Sequence, residues 1–575
     1  MPADQLIVAF VSSFLVLGLI FTRVNPAVLF SSGALAYLLT DLIELRPLLN
    51  SYTHPALVTL ALLIVISTAF ERTRMISAIV KFCVKGGGVF SLFKTLLATS
   101  FLSAFLNNTA VVSVLISGIK NNKKLSAHRL LLPISYAAII GGTLTLVGTS
   151  TNLIINGLVV DQGLPSFTLF SFFIPSLILL SICTPLVVIF SYLFLKPDKD
   201  QQSAERRYFV EAKVNVDSPL IEKTVLENGM RNLEHLFLVE IIRRDQLISP
   251  VSPNEVIEVS DILIFTGEIQ ELDDIFQLPG LTLFDESIEV LQRNLVEVVI
   301  SPTASILGKS IKECDFRATF DAAVVAIRRG DKQLSGKMGL HQIEPGDSLL
   351  LATGHDFNVR KNISQNFYIL SKNGPGMKNG WRSWLLGLGF PLAIFIGAYL
   401  DVSLPKSLLM FTIVLLAAKV LKPGNIRRRF PFQIILVVGS ALAMAQVAID
   451  TGTIKTAVEF ILFNNPGITV WGAFISIYFI TLILTEVVTN NAAAAVMFPI
   501  TIGVASAFDV SVLSFIMAVL YGASASFLSP YGYQTNLIVY SAGNYRLLDY
   551  LKVGLPVSIV YSLTVITIVP EFFPF

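Results

Sequence analysis

Two short polar triplets, Asn107-Asn-Thr109 and Thr489-Asn-Asn491, interrupt runs that are otherwise apolar enough to be buried in lipid. Their amides and hydroxyls are hard oxygen ligands, suited to sodium and larger hard cations, and also hydrogen-bond donors for an oxyanion. A bilayer offers such groups no water, and each one left unpaired in hydrocarbon costs several kcal/mol. They must therefore bond neighbouring helices or line a cavity that binds something. The triplets are copies of one another. Ser103-Ala-Phe-Leu-Asn-Asn-Thr-Ala110 corresponds to Thr485-Glu-Val-Val-Thr-Asn-Asn-Ala492, with Asn108 and Asn490 set 382 residues apart. Gly148-Thr-Ser-Thr-Asn-Leu-Ile-Ile155 likewise corresponds to Gly532-Tyr-Gln-Thr-Asn-Leu-Ile-Val539, with Asn152 and Asn536 set 384 apart. Two motifs recurring in one order at nearly one offset mark a secondary transporter built from two halves.

The elements that must position these residues follow from composition. Of the 575 residues 53% are hydrophobic and 14% charged, against roughly 25% charged in soluble domains, so the chain is an integral membrane protein. Apolar runs long enough to span occur at Leu6–Thr22, Ala27–Ile43, Ala56–Phe70, Leu130–Leu146 and Leu169–Leu195. A second set lies at Trp384–Leu400, Leu408–Leu421, Pro431–Ile449, Val512–Phe527 and Tyr550–Val569. Two further runs, 92–118 and 470–500, are broken in the middle by the triplets and are expected to be re-entrant helical hairpins. The prediction is an inverted repeat of five plus five spans with one hairpin in each half, 1–196 and 379–575. The N-terminus, Met1-Pro-Ala-Asp-Gln-Leu6, lacks the basic region of a secretory signal, so the first run is expected to be a permanent span.

Between the halves lies a soluble insert. Of the 82 charged side chains, 48 fall between Pro197 and Lys378. The insert repeats itself: Phe237-Leu-Val-Glu-Ile-Ile-Arg-Arg-Asp245 echoes Ala322-Ala-Val-Val-Ala-Ile-Arg-Arg-Gly-Asp331, with the arginine pairs 85 residues apart. Two tandem α+β domains, 205–290 and 291–372, are predicted, each with short strands and one helix, near Leu220–Glu227 or Ile306–Cys314. The flanks Lys196-Pro-Asp-Lys199 and Ser371 to Gly380 read as linkers. Arg243-Arg244 and Arg328-Arg329 could bind an anionic regulator or could be strand-end surface charges.

Orientation comes from the basic loops. Lys120, Lys123, Lys124, His128 and Arg129 form one; Lys422 and Arg427-Arg-Arg429 another; Arg546 and Lys552 a third. The positive-inside rule makes all three cytoplasmic. Threading the spans through them predicts a cytoplasmic insert at 197–378, a first hairpin entering from the cytoplasm, a second from outside, and both termini outside. Five spans per half, an odd number, invert one half relative to the other.

Several chemistries are excluded. Cys83, Cys183 and Cys314 lack metal or redox spacing. No nucleophile–base pair exists for an intramembrane enzyme, His54 and His128 standing at span ends. A potassium filter would need a run of carbonyls that Leu146-Val-Gly-Thr149 barely echoes. A net charge of +2 gives no footprint for nucleic acid, and no cofactor is expected. Neither triplet carries a basic residue, and Lys94 lies 13 residues before Asn107. An anion must therefore be held by amides, hydroxyls, helix dipoles and a co-bound cation. Glu486, inside the second broken run, could carry a proton, stabilise a cation or pack between helices.

The paired triplets, each followed by a Thr-Asn-Leu-Ile segment, resemble the divalent anion:sodium symporter family, across both membrane halves. The insert resembles RCK C-terminal (TrkA-C type) domains found in sulfate-type permeases of that broader family. The resemblance implies an elevator-type homodimer in the plasma (inner) membrane, with hairpins and broken spans moving against a scaffold formed by the first two spans of each half. It implies a first sodium site at Ser103, Asn107 and Asn108 with backbone near Gly148, and a second at Thr485, Thr489 and Asn490 with backbone near Gly532. Thr109 and Asn491, with Thr149, Ser150 and Gln534, would face the anion, and Thr151, Asn152, Thr535 and Asn536 would support them. The sequence departs from the family where Asn107 replaces Ser, Asn491 replaces Thr, and Ser150-Thr151 and Gln534-Thr535 replace prolines. Extra amides and hydroxyls suit a compact tetrahedral oxyanion. The expectation is a sodium-coupled importer of a divalent inorganic anion, sulfate above others, tuned by the insert and its small-molecule ligand. A di- or tricarboxylate or proton-coupled symporter is the variant, and a channel gated by the insert the further alternative.

Overall fold

The structure, a computed structural model, describes residues 2–70, 88–120, 126–195, 209–230, 236–267, 280–284, 295–370 and 381–575, apart from scattered positions within them. Both linkers, the insert's boundary near 290, Cys83, Lys123, Lys124, Lys422 and Arg427 to Arg429 lie outside the described residues.

The first half contains α1 (Ala3–Phe21), α2 (Pro26–Leu39), the short α3 (Leu45–Tyr52), α4 (Pro55–Phe70), α5 (Val89–Ser103), α6 (Asn108–Lys120), α7 (Ala127–Gly142), α8 (Ser150–Asp161) and α9 (Phe173–Phe194). The second contains α10 (Trp381–Tyr399), α11 (Leu404–Ala417), α12 (Phe432–Asp450), α13 (Thr453–Asn464), α14 (Val470–Val487), α15 (Asn490–Phe508), α16 (Val512–Ser524), α17 (Gln534–Ala542) and α18 (Leu547–Phe572). Among the described residues seven helical runs are long and apolar enough to cross a membrane, including α1, α9, α12 and α18. Large apolar side chains point outward, Phe10 73%, Phe463 85% and Tyr399 90% exposed. Water would penalise such a surface, and lipid accepts it. Both arms of the second broken run, α14 and α15, belong to the seven. Their length does not separate a hairpin from two spans.

Two spans are broken rather than continuous. The run through Leu130–Leu146 ends as helix at Gly142 and resumes at Ser150. The run from Val512 ends at Ser524 and resumes at Gln534. Close packing holds the helix before the first break against α5. Gly141 sits on the Ser100 backbone, where a Cβ would collide. The Ser100 hydroxyl donates to Ala137 O at 2.8 Å, binding α5 to α7.

The insert forms two five-stranded antiparallel sheets of one strand order. β1 (Phe209–Val214), β2 (Leu236–Arg243), β3 (Gln246–Ile248), β4 (Ile262–Gly267) and β5 (Leu281–Phe284) lie in the order β3-β2-β4-β1-β5. β6 (Leu295–Ile300), β7 (Ala322–Arg329), β8 (Lys332–Leu334), β9 (Ser348–Thr353) and β10 (Phe367–Ile369) repeat it as β8-β7-β9-β6-β10. Val239 packs against Ala323, Val325 and Ala352 between them. The arginine correspondence is 86 residues, not 85. Arg243 donates twice to Asp261, at 2.9 and 2.9 Å, and Arg329 twice to Asp347, at 2.7 and 2.9 Å. A two-residue turn follows each arginine, with Arg244 (φ 47°) and Gly330 (φ 61°) equivalent in its left-handed position. Side chains alternate faces along a strand, so a one-residue slip would have put the wrong arginine on the aspartate.

No helix forms over Leu220–Glu227 or Ile306–Cys314; both are turns. Each carries a reciprocal cap. Thr224 N donates to Glu227 Oε2 (2.8 Å) and Glu227 N to Thr224 Oγ1 (3.1 Å); Ser310 and Glu313 do the same at 2.7 and 3.2 Å. These backbone bonds hold both carboxyls below the usual range. In the first copy Gly229, at φ +69°, reverses the chain before a helix can propagate.

The two Arg–Asp pairs give a stability prediction. Asp261 is fully buried and Arg243 mostly so. Asp261→Asn should cost about 1.5–3 kcal/mol, the worth of a charge-assisted hydrogen bond, since Arg243 keeps its pairs with Glu255 and Glu258. Limited proteolysis of the full chain should then cleave the insert first; an unchanged pattern would refute the pairing's importance.

Candidate functional site

Four helices begin at one cavity. α6 starts at Asn108, α8 at Ser150, α15 at Asn490 and α17 at Gln534, and residues from all four line a space of about 230 Å³. Four others end beside it: α5 at Ser103, α7 at Gly142, α14 at Val487 and α16 at Ser524. Each N-terminus presents roughly half a positive charge and free N–H groups, and each C-terminus free carbonyls. The triplets dictate the starts. Asn107 Oδ1 accepts from Thr109 N at 2.9 Å, and Thr489 Oγ1 from Ala492 N at 3.4 Å, the bonds that Asn and Thr supply at helix N-termini.

The two triplets sit in matched surroundings. The Ser103 hydroxyl stands 2.5 Å from Asn108 Oδ1 and 2.9 Å from Ala138 O. The Thr485 hydroxyl stands 3.0 Å from Asn490 Oδ1 and 2.8 Å from Ala523 O. Asn152 Nδ2 donates to Thr145 O (2.9 Å) and Gly142 O (3.3 Å); Asn536 Nδ2 donates to Ser526 O (2.9 Å) and Ser529 O (3.3 Å). Across the cavity the halves interlock. Thr109 Oγ1 meets Gln534 Oε1 at 3.3 Å. Asn491 Oδ1 accepts from Ser150 Oγ at 3.0 Å and Thr151 Oγ1 at 3.3 Å.

Two oxygen-rich cradles flank this space. In each, one hydroxyl proton faces two acceptor oxygens, an excess of acceptors that suits a cation. Gly148 closes the first: a Cβ there would lie 2.5 Å from Gly142 O and 3.0 Å from Ala104 O. Gly532 closes the second, against Ser526 Oγ, with Thr485 O and Glu486 Oε2 each 3.0 Å from where a Cβ would stand. The Oγ atoms of Ser524 and Ser526 are buried with no hydrogen-bond partner among the described residues.

Of the residues expected to face ligand, Asn107, Asn108, Thr109, Gly148, Thr149, Ser150, Thr151, Thr489, Asn490, Asn491, Gly532 and Gln534 line the cavity. Ser103, Asn152, Thr485, Thr535 and Asn536 stand behind them, all fully buried. Among the described residues no Lys, Arg, Asp or Glu lines it. Glu486 lies just outside and is committed elsewhere. Its Oε1 accepts from Phe527 N (2.9 Å) and Leu528 N (2.8 Å), and its Oε2 from Ser529 N (3.1 Å). His128 is half-buried; it stacks on Tyr545 at 4.6 Å, with Nδ1 2.7 Å from Gly543 O.

Three contributors escaped the sequence reading. Tyr533 accepts from Asn108 Nδ2 at 2.6 Å. Ser135 stands 2.7 Å from Asn536 Oδ1 and 2.8 Å from Thr535 Oγ1. Pro302, in the insert, reaches the cavity rim beside Tyr531. Tyr533 lies inside the repeated loop, so its departure from the matching Thr149 was the available signal. Nothing local points to the other two.

Comparison with known proteins gives a consistent class. The family model described as "Citrate transporter" matches residues 16–522. A putative sulfur deprivation response regulator of Chlamydomonas reinhardtii is 30% identical over 579 residues, covering 95% of this chain and 97% of that protein. An uncharacterized transporter of Synechocystis is 27% identical over 540 residues, 89% of this chain and 88% of its own length. Sodium/sulfate cotransporter 2 of C. reinhardtii is 26% identical over 376 residues, 62% of this chain and 42% of that protein.

Proposed function

Since this chain belongs to the citrate transporter family, a family of multi-pass membrane transporters, we propose that it imports a compact divalent oxyanion, sulfate, coupled to sodium. The observation that carries this reading is the cavity where four helix N-termini meet without a charged side chain. Summed dipoles, backbone N–H groups and amides attract an anion there. The oxygen cradles at Gly148 and Gly532 take the sodium ions, whose charge offsets the anion's. Binding of either then strengthens binding of the other, which is the coupling a symporter needs.

The halves act as an inverted repeat. Supporting this are the matched hydrogen bonds of Ser103 and Thr485 and of Asn152 and Asn536, at offsets of 382 and 384 residues. Each triplet lies beside the break in a discontinuous helical run, the arrangement that hairpin tips take in inverted-repeat transporters. The arms α5–α6 and α14–α15, with α7–α9 and α16–α18, carry the site as the moving body of an elevator. The remaining helices form the scaffold, through which two copies pair. The insert and the basic loops face the cytoplasm, and both termini lie outside.

Labelled sulfate uptake into proteoliposomes tests the reading. Uptake should require an inward sodium gradient, and Asn108→Ala and Asn490→Ala should each lower it at least tenfold, the equivalent of about 1.4 kcal/mol. Uptake indifferent to sodium, or to both substitutions, would sink the assignment. The family's description favours a second substrate, citrate or another carboxylate, and competition by those anions distinguishes it.

Regulation by the insert, as tandem RCK C-terminal domains, runs through one contact. Arg328 Nη2 donates to Ser541 O near the end of α17 at 2.6 Å, and the Ser541 hydroxyl donates to Gly346 O. Gly330 lies against Tyr540, and a Cβ on Gly346 would stand 2.5 Å from Leu537. The second sheet thus sits on the helix whose N-terminus faces the anion. The Arg–Asp bonds already occupy Arg243 and Arg329, so a small-molecule regulator would bind elsewhere on the insert. Arg328→Ala should change the uptake rate at saturating anion by about three- to tenfold, the worth of one net hydrogen bond of about 1 kcal/mol. Wild-type kinetics in this variant would remove the contact from the control path.

A further inference from the structure

The largest difference in size between equivalent polar positions of the two halves falls at one place. At the 384-residue offset Tyr533 stands where the first half has Thr149, so a phenol replaces a small hydroxyl; other exchanges, Asn107 for Thr489, Thr109 for Asn491 and Ser150 for Gln534, are between smaller polar groups. Both residues line the cavity. The Tyr533 hydroxyl accepts from Asn108 Nδ2 at 2.6 Å, and the Thr149 hydroxyl is its other side-chain partner. One ring therefore ties the first triplet to the second repeated loop, with Thr149 of the first loop beside it. Thr149 is too short to do the same for the second triplet. Asn490 Nδ2, the counterpart of Asn108 Nδ2, has no hydrogen-bond partner among the described residues.

We propose that Tyr533 is the specificity-determining residue of the transport site: its ring excludes anions with a second carboxylate arm, and its hydroxyl fixes Asn108. The inference rests on reading this cavity as the anion site. Its physical content is steric and polar together. The cavity measures about 230 Å³, so total volume does not select between small anions, and the shape of its lining at Tyr533 must. A tetrahedral oxyanion fits beside the ring. On this proposal the ring stands where the far carboxylate of a dicarboxylate would lie, and a clash built against a competitor is an effective source of specificity. The hydroxyl adds order, because Asn108 can turn neither its amide nor its carbonyl without losing Tyr533 or Ser103.

The test uses the full chain in proteoliposomes with an inward sodium gradient. Labelled sulfate uptake is measured in competition with succinate and citrate for wild type, Tyr533→Thr and Tyr533→Phe. Wild type should ignore both carboxylates. Tyr533→Thr should become sensitive to succinate, and both variants should raise the KM for sulfate about five- to tenfold, as loss of one hydrogen bond implies. Tyr533→Phe, which keeps the ring, should still exclude succinate. A wild type inhibited by succinate as strongly as by sulfate overturns the proposal. So does a Tyr533→Thr protein that still excludes it, or a Tyr533→Phe protein with an unchanged KM. Should Tyr533→Thr fail to purify as a single species, Tyr533→Val carries the same comparison. The functional reading fails separately, if wild type takes up no sulfate at all. Thermal shifts with a panel of anions then judge Tyr533: the threonine variant must be stabilised by larger anions than wild type accepts, and an identical panel overturns the proposal.

Discussion

Replacing Gly148 by alanine is expected to cut sodium-driven uptake about 100-fold while leaving the protein assembled in the membrane. The added Cβ would stand 2.5 Å from Gly142 O and 3.0 Å from Ala104 O. Carbon and oxygen do not share that distance, so the loop between α7 and α8 must retreat by a good fraction of an ångström. On the proposed reading these two carbonyls, which accept from Asn152 Nδ2 and Thr145 Oγ1, would also face the cation. A displacement of about 1 Å at a site built on geometry costs about 10²-fold. Gly532→Ala should do the same at the second cradle, where the obstruction includes Ser526 Oγ and Glu486 Oε2. Uptake measured against sodium concentration checks both. A Gly148→Ala protein with the wild-type sodium curve would show that no cation binds at the first cradle.

Glu486→Gln carries the second large effect. One carboxylate accepts three backbone N–H groups from the loop joining α16 to α17. A glutamine has one acceptor oxygen and must turn its NH₂ toward a donor. At least one charge-assisted bond is lost outright, at about 1.5–3 kcal/mol, and the others weaken. The loop that holds Ser526 and Ser529 should loosen, lowering apparent sodium affinity about 10- to 100-fold. The first half has Ala104 at the matching position, so its loop depends on no such clamp. Thermal unfolding and sodium titration of Glu486→Gln measure the effect. Pumping that persists in wild type without sodium, driven by a proton gradient and lost in Glu486→Gln, would instead make this residue a proton carrier.

The legible part of the site was its inventory of polar groups. Unpaired amides and hydroxyls are so costly in hydrocarbon that Asn107 to Thr109 and Thr489 to Asn491 stand out against their surroundings. Repetition at one offset then selected Gly148 to Asn152 and Gly532 to Asn536. The insert was legible as two copies because strand-end arginines and the turn before Asp recur. Its helices were misplaced because a capping box was present but Gly229 cut the first one short. The register slip between Arg243 and Arg328 arose from matching letters, where the paired aspartate decides which arginine is equivalent.

By itself the sequence determined that this chain belongs in a membrane and that it contains two matching sets of ligand-like residues. Composition and repetition are properties of the chain, and they survive without coordinates. Only the tertiary structure decided which of those residues meet. Thr109 finds Gln534 and Asn491 finds Ser150 across more than three hundred residues, contacts that no local periodicity encodes. Glu486 was assigned to three loop N–H groups, and Tyr533 to Asn108, for the same reason. A hydrogen bond depends on distances of about 3 Å between groups the chain separates widely, and only packing fixes them. The two polar triplets were visible from the start; that they form two walls of one cavity, with a phenol across it, came from the fold.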